Sequence, residues 1–211
     1  MRRPNVQLQA DRRHEILAAA QRCFARSGFH QASMHEICAE AGMSPGNVYR
    51  YFSSKEEIIL GIAERDRAEV TEQLASADFS QNFWETFAAL ARLHVVDTTP
   101  EKVGLCAEIM AESRRNPEIG RVFQAFDVEV KARIIALLQD AAAHGEISRD
   151  VDLDAVVTML MVMVDGVWWR RAVDPEFNAE AVLPLFLSLS RHMLTGGAGC
   201  ASPGAEKSDE R

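Results

Sequence analysis

Apolar residues recur at helical spacing along almost the whole chain, and no window shows the sustained alternation that a half-buried strand requires. Ile16, Leu17, Ala20, Cys23 and Phe24 make the first stripe. It predicts a helix from about Asp11 to Ser27, ended by Gly28 and preceded by a mobile arm over residues 1–10. After a short, densely punctuated stretch, Ile58, Ile59 and Ile62 open a longer helix over 54–74, whose later part carries charges at i, i+4 and reads as a solvated face. Further helices are predicted at about 80–96, 101–115, 117–144, 152–172 and 178–194. Pro100 and Pro117 fall in first turns, Gly145 follows the third of these helices, and Asp174-Pro175 separates the last two. Residues 196–211, rich in Gly, Ala, Ser and charge, read as a disordered tail.

The punctuated stretch, 33–58, carries the chemistry. Ser33 and Glu36 have capping-box spacing, so a short helix starts there. Ile37 and Ala41 share its inner face, and Gly42 supplies the turn. Ser44 then reads as an N-cap, Pro45 fits a first turn where no N–H is needed, and Val48 with Phe52 forms the buried side at i, i+4. The opposite side holds Gly46, Asn47, Tyr49, Arg50 and Tyr51, hydrogen-bonding groups on a short rigid rod, as a major-groove reader requires. Gly46 would let backbone approach a phosphate or base edge at a helix N-terminus. Lys55, after Ser53 or Ser54 as cap, would face a phosphate together with the N–H groups of the next helix. The alternative is an ordinary surface hairpin of helices with half-buried tyrosines.

From Ile37 to Lys55 the segment matches I-x-x-x-A-G-x-S-x-G-x-x-Y-x-Y-F-x-S-K at every defined position, and it resembles the DNA-binding domain of the TetR family of transcriptional repressors. The resemblance implies an all-α, TetR-like fold: a three-helix head over 1–55, a helical ligand-binding and dimerisation body over 56–195, and the tail. It further implies that Tyr49, Tyr51, Lys55 and Ser33 touch backbone phosphates. Gly46 and Asn47 would approach base edges, and Ser44 and Pro45 open the recognition helix. Cys38 stands where the family more often has alanine and should be buried and inert. More loosely, AESRRNPEI at 111–119, HGEI at 144–147 and VDGVWWR at 164–170 resemble the body of the BetI/AcrR-like subgroup.

Charge changes the picture only through its distribution. The formal net charge of −8 argues against nucleic acid, yet residues 1–55 hold eight Lys/Arg against four Asp/Glu while 56–211 hold fifteen against twenty-seven. The four cysteines, Cys23, Cys38, Cys106 and Cys200, show neither a zinc nor a disulfide pattern, which suits a reducing cytoplasm. No signal peptide is visible, and the apolar run from Ala155 to Val164 is too short to span a membrane. His94 and His144 lack ligand-type companions, and no phosphate loop or nucleophile elbow occurs, so neither an enzyme nor a metal or other cofactor is expected.

Two roles are open to the body. The last two helices are apolar on more than one side, with Leu160, Val164 and Val167 on the first and Val182, Leu185, Phe186, Leu189 and Met193 on the second. The resemblance implies a homodimer made by these helices, and a pseudo-palindromic operator with half-sites about 34 Å apart suits such a pair. A monomer whose core uses both faces is the alternative. For sensing, Phe87, Met110, Phe123, Phe126, Met163, Trp168 and Trp169 would line a pocket for a hydrophobic or amphiphilic effector, with Asp165 attracting a cationic one. Plain core packing, or a local partner for Asp165, explains the same residues. The expected function is an effector-released repressor; a dimeric DNA-binding regulator without a ligand is the alternative.

Overall fold

The computed structural model describes residues 6–79 and 82–196, and among these the chain is helical with no strand. α1 (Val6–Gln31) begins inside the expected arm, and its regular helix breaks at Gly28 as expected, where φ 74 and ψ 161 are non-helical and a further short turn follows to Gln31. Residues 1–5 of that arm lie outside the described residues. Then come α2 (Met34–Glu40), α3 (Pro45–Val48) and α4 (Lys55–Ser76). The helix expected at 80–96 is α5 (Phe83–Arg92) followed by a π-helical turn over Leu93–Asp97. α6 (Pro100–Ser113), α7 (Pro117–Ala143), α8 (Leu153–Val173) and α9 (Ala179–Leu194) follow the pattern within a residue or two. The expected tail, from 197 onward, is outside the described residues.

The chain forms two compact units, and they do not divide at 55/56. The first comprises the described residues to Glu69 with Thr99–Asp127; the second comprises Val70–Thr98 with the described residues from Val128. Burial explains the first. Ile16, Phe24, Ile37, Val48 and Phe52 pack with Ile58, Ile59 and Ile62 of α4, Leu105 and Ile109 of α6, and Ile119 of α7. A domain of some 50 residues is marginal in the surface it can bury, and α4, α6 and the start of α7 enlarge the core. The predicted periodicity of α1 and α4 is therefore satisfied partly by helices far along the chain.

In the second unit Phe83, Val95, Leu138, Val157, Leu160, Val167, Leu183, Phe186 and Leu194 form the core. Phe83 sits within a run of rings, its centroid 5.5 Å from Phe79, 5.0 Å from Trp84 and 6.0 Å from Phe87. The π-helical turn displaces main-chain carbonyls from the α-helical ladder, and side chains satisfy them. Trp168 donates its indole N–H to His94 O at 2.6 Å and Arg171 donates to Val95 O at 3.1 Å. The hydroxyl of Thr98 reaches Leu93 O at 3.1 Å.

Candidate nucleic-acid interface

The reading surface is built by two caps and a turn. Ser33 Oγ accepts from Glu36 N at 3.2 Å while Glu36 Oε2 accepts from Ser33 N at 2.7 Å, so the expected capping box is present. The Ser33 hydroxyl also lies 3.0 Å from Glu36 Oε2, and these bonds from Ser33 hold the Glu36 carboxyl below the usual carboxylate range. The proton expected to meet a phosphate is thus committed to a carboxylate in this structure. After Ala41 the chain turns by a Schellman motif: Gly42, at φ 63, donates to Ala39 O at 3.1 Å and Met43 to Cys38 O at 3.0 Å. Cys38 is buried as expected, and desolvation pushes its thiol upward.

α3 is only one turn long, but helical bonding continues beyond it, with Tyr49 N to Pro45 O at 2.9 Å, Tyr51 N to Val48 O at 2.9 Å and Phe52 N to Val48 O at 3.1 Å. Ser44 has the extended backbone of an N-cap but makes no side-chain capping bond, which corrects the expectation that its hydroxyl caps this helix. Val48 and Phe52 are buried and lock the rod from below. Above it Ser44, Pro45, Gly46, Tyr49 and Arg50 are exposed, whereas Asn47 and Tyr51 are half-buried. A Cβ added at Gly46 would meet nothing within 4 Å, so the space over that glycine is open.

Among the described cations of residues 6–55, Arg50 differs from the rest. Arg12 is paired with Glu15, Arg13 with Glu64, and Arg22 and Arg26 with Glu40, whose carboxyl the Arg22 hydrogen bond holds below its ordinary range. Arg22 and Arg26 also line a groove with Ala18, Gln21, Ala25 and Glu101. The side chain of Arg50 takes part in no ion pair or hydrogen bond among the described residues. Lys55, expected to face a phosphate, points elsewhere: its ammonium donates to Phe29 O at 2.7 Å, His30 O at 3.1 Å and Ala32 O at 2.7 Å. All three of its protons are used within the chain. A spacing pattern locates such a lysine without saying which way it turns.

The residues expected to line a pocket are divided between the two units. Met110 and Phe126 lie on α6 and α7 in the first unit, and Phe123 packs against the core there. Phe87 and Met163 pack against the core of the second unit, Trp168 is tied to His94, and Trp169 is exposed. Asp165 belongs to an exposed stretch of α8, yet enough protein surrounds its carboxyl for desolvation to raise it above the ordinary carboxylate value. No hydrogen bond or ion pair holds it among the described residues.

The expected dimer residues also separate. Leu160, Val167 and Phe186 are core of the second unit, so these three are spent within the chain, whereas Val164, Val182 and Met193 are half-buried against that core. The outward stripe is instead Met159, Val162, Trp169 and Val173 on α8 with Leu185 and Leu189 on α9, which keep between 44 and 60 % of their surface. Periodicity showed that both helices are apolar all round; only packing distinguishes the two sides.

A one-turn reading element set by a Schellman turn, with its hydrogen-bonding groups outward and a separate helical unit beyond, defines a helix-turn-helix DNA-binding regulator. Residues 16–62 match the model described as bacterial regulatory proteins, tetR family, and residues 86–194 the BetI-type transcriptional repressor C-terminal model. The chain belongs to the TetR family of DNA-binding transcriptional regulators and is not an enzyme. It is 33 % identical over 171 residues to the transcriptional regulator UidR of Escherichia coli, covering 77 % of this chain and 83 % of UidR. Salmonella enterica GusR is similar in structure, with a TM-score of 0.74 at 32 % identity over 88 % of this chain and 94 % of that one. The fold is shared with Bacillus subtilis FadR in complex with stearoyl-CoA, at TM-score 0.73, 19 % identity, and 84 % and 97 % coverage. A Saccharomonospora viridis regulator in complex with choline gives 0.74, 22 %, and 87 % and 97 %. Among the described residues no helix is long and apolar enough to cross a membrane, and no cluster of metal ligands occurs.

Proposed function

We propose that the chain is a cytoplasmic homodimeric repressor that reads a pseudo-palindromic double-stranded operator and is released by a small hydrophobic or amphiphilic effector. The observation that carries this reading is the pairing of two outward surfaces: the hydrogen-bonding face of α3 and the apolar stripe of α8 and α9. Gly46 and Asn47 are the base-edge positions, with Ser44 and Pro45 opening the element. Tyr49, Arg50 and Tyr51 meet phosphates, Arg50 being a cation whose side chain has no partner among the described residues. A stripe of this size is unfavourable in water, and a second copy of the chain covers it in an isologous contact that also sets two reading elements in register.

Release follows if effector binding favours a body conformation in which that register is lost, since only differential affinity for two states moves the equilibrium. The chain passes between the units within α4, at Glu69, and within α7, at Asp127. That FadR and the Saccharomonospora viridis regulator hold stearoyl-CoA and choline supports a ligand-holding body in general, not either ligand here. The second reading is a dimeric regulator without an effector. Duplexes selected by the purified chain from a random library, followed by a thermal-shift screen of small molecules and release assays on the hits, decide between the two. A hit that stabilises the chain and displaces the duplex supports the sensor; duplex binding that no stabilising hit disturbs supports the second reading.

A further inference from the structure

The elbow between α1 and α2 is held from two sides. Gly28, in the left-handed region, interrupts the helical ladder, and the next N–H, on Phe29, donates to Glu108 Oε2 of α6 at 3.0 Å. That carboxylate lies against Gly28, where a Cβ would stand 3.5 Å from both its oxygens. One turn further along α6, Glu112, 7 % exposed, has Oε2 at 2.9 Å from His30 Nε2 and 3.6 Å from Arg115. From the other side Lys55 takes the carbonyls of Phe29, His30 and Ala32 and lies 4.7 Å over the Phe29 ring. α6 thus grips the donor side of residues 29–30, and the first residue of α4 grips the acceptor side.

We propose that Glu108 and Glu112 are positioning residues for DNA binding: through them α6 sets the angle at which α2 and α3 leave α1, so the head presents its reading face only while this clasp is closed. The kink makes the clasp necessary. An unpaired N–H beside a left-handed glycine leaves the elbow several backbone states, and a carboxylate fixed on a separate helix selects one. Ser33 begins α2 immediately beyond Ala32, so a rotation at Phe29 is carried into the whole helix-turn-helix. Neither carboxylate touches the reading face, and the inference rests on that face being the DNA-binding one.

The test uses the full-length chain and a duplex selected by the unaltered protein from a random library. Glu108→Ala is expected to weaken duplex binding about tenfold and to speed amide exchange in the peptide spanning 28–33, with peptides from α8 and α9 unchanged. Glu108→Gln keeps an acceptor for the Phe29 N–H and should restore both readouts to within about threefold. Should Glu108→Ala fail to fold, Glu108→Asp, one methylene shorter, takes its place with the same expectation. Glu112→Ala should act in the same direction on His30. A loss of less than about threefold for Glu108→Ala, unaltered exchange at 28–33, or a Gln variant as impaired as the Ala variant overturns the clasp. If the unaltered chain enriches no duplex, the DNA-reading assignment is what fails, and the exchange readout still decides whether α6 holds the elbow.

Discussion

Trp168 of α8 donates its indole N–H to the carbonyl oxygen of His94 at 2.6 Å, and that carbonyl belongs to the π-helical turn between α5 and α6. Two residues that sequence reasoning considers for ligand and metal chemistry are thus partners in one hydrogen bond. Their shared task is to complete the backbone of an irregular turn. Trp168→Phe keeps most of the ring and removes the donor, so it should cost about 1 kcal/mol and lower the melting temperature by about 2–4 °C. Thermal denaturation followed by circular dichroism checks this; an unchanged midpoint would return Trp168 to the pool of ligand contacts.

Gly46 separates stability from function. Ala in its place meets open space and has the higher helix propensity, so Gly46→Ala should stabilise the fold by up to about 1 kcal/mol. The same methyl group stands where DNA backbone or base edges approach, and duplex affinity should fall about tenfold. Melting and duplex titration on one preparation measure both. Unchanged affinity would remove Gly46 from the interface.

Arg50 and Lys55 should differ in salt dependence. Arg50→Ala removes a free cation, and the slope of log affinity against log salt should become shallower by about 0.9. Lys55→Ala removes three bonds to carbonyls at the elbow, so it should lower the melting temperature and the affinity while leaving that slope as it was. A shallower slope for Lys55→Ala would mean that its ammonium reaches a phosphate after all.

Assembly should respond to position along α8 and α9. Leu189 keeps 44 % of its surface, so Leu189→Glu costs little within one chain but places charge in the apolar stripe; sedimentation should show a folded monomer. Leu160 is 6 % exposed and lies in the core, so Leu160→Glu should unfold the second unit instead. A dimer that survives Leu189→Glu moves the interface off this stripe.

Asp165 predicts a pH dependence of definite sign. Desolvation raises its folded-state pKa, so the folded chain binds a proton more tightly than the unfolded chain does. The stability linked to this group is fully present below the unfolded pKa and is lost as pH rises through the raised folded value. Asp165→Asn should therefore raise the melting temperature at neutral pH, and its advantage should shrink as the solution is acidified towards the ordinary carboxylate range. A constant difference across that range would mean that the carboxyl is not desolvated.

What was legible in the sequence rests on short-range physics. The capping box at Ser33 and Glu36, the left-handed turn at Gly42, the proline-led α3 and the burial of Val48 and Phe52 all depend on residues within a few positions, where spacing dictates geometry. Helix content followed for the same reason. The tertiary structure decided what depends on distant partners: that Glu108 receives the N–H of Phe29 beside the break at Gly28, and that Lys55 turns inward to three carbonyls. It also decided that Leu160 and Phe186 face the core of their own chain while Val162 and Leu185 face out. An apolar helix carries the same periodic signal on every side, and a charged side chain carries no mark of its partner. Those assignments exist only once the helices have packed.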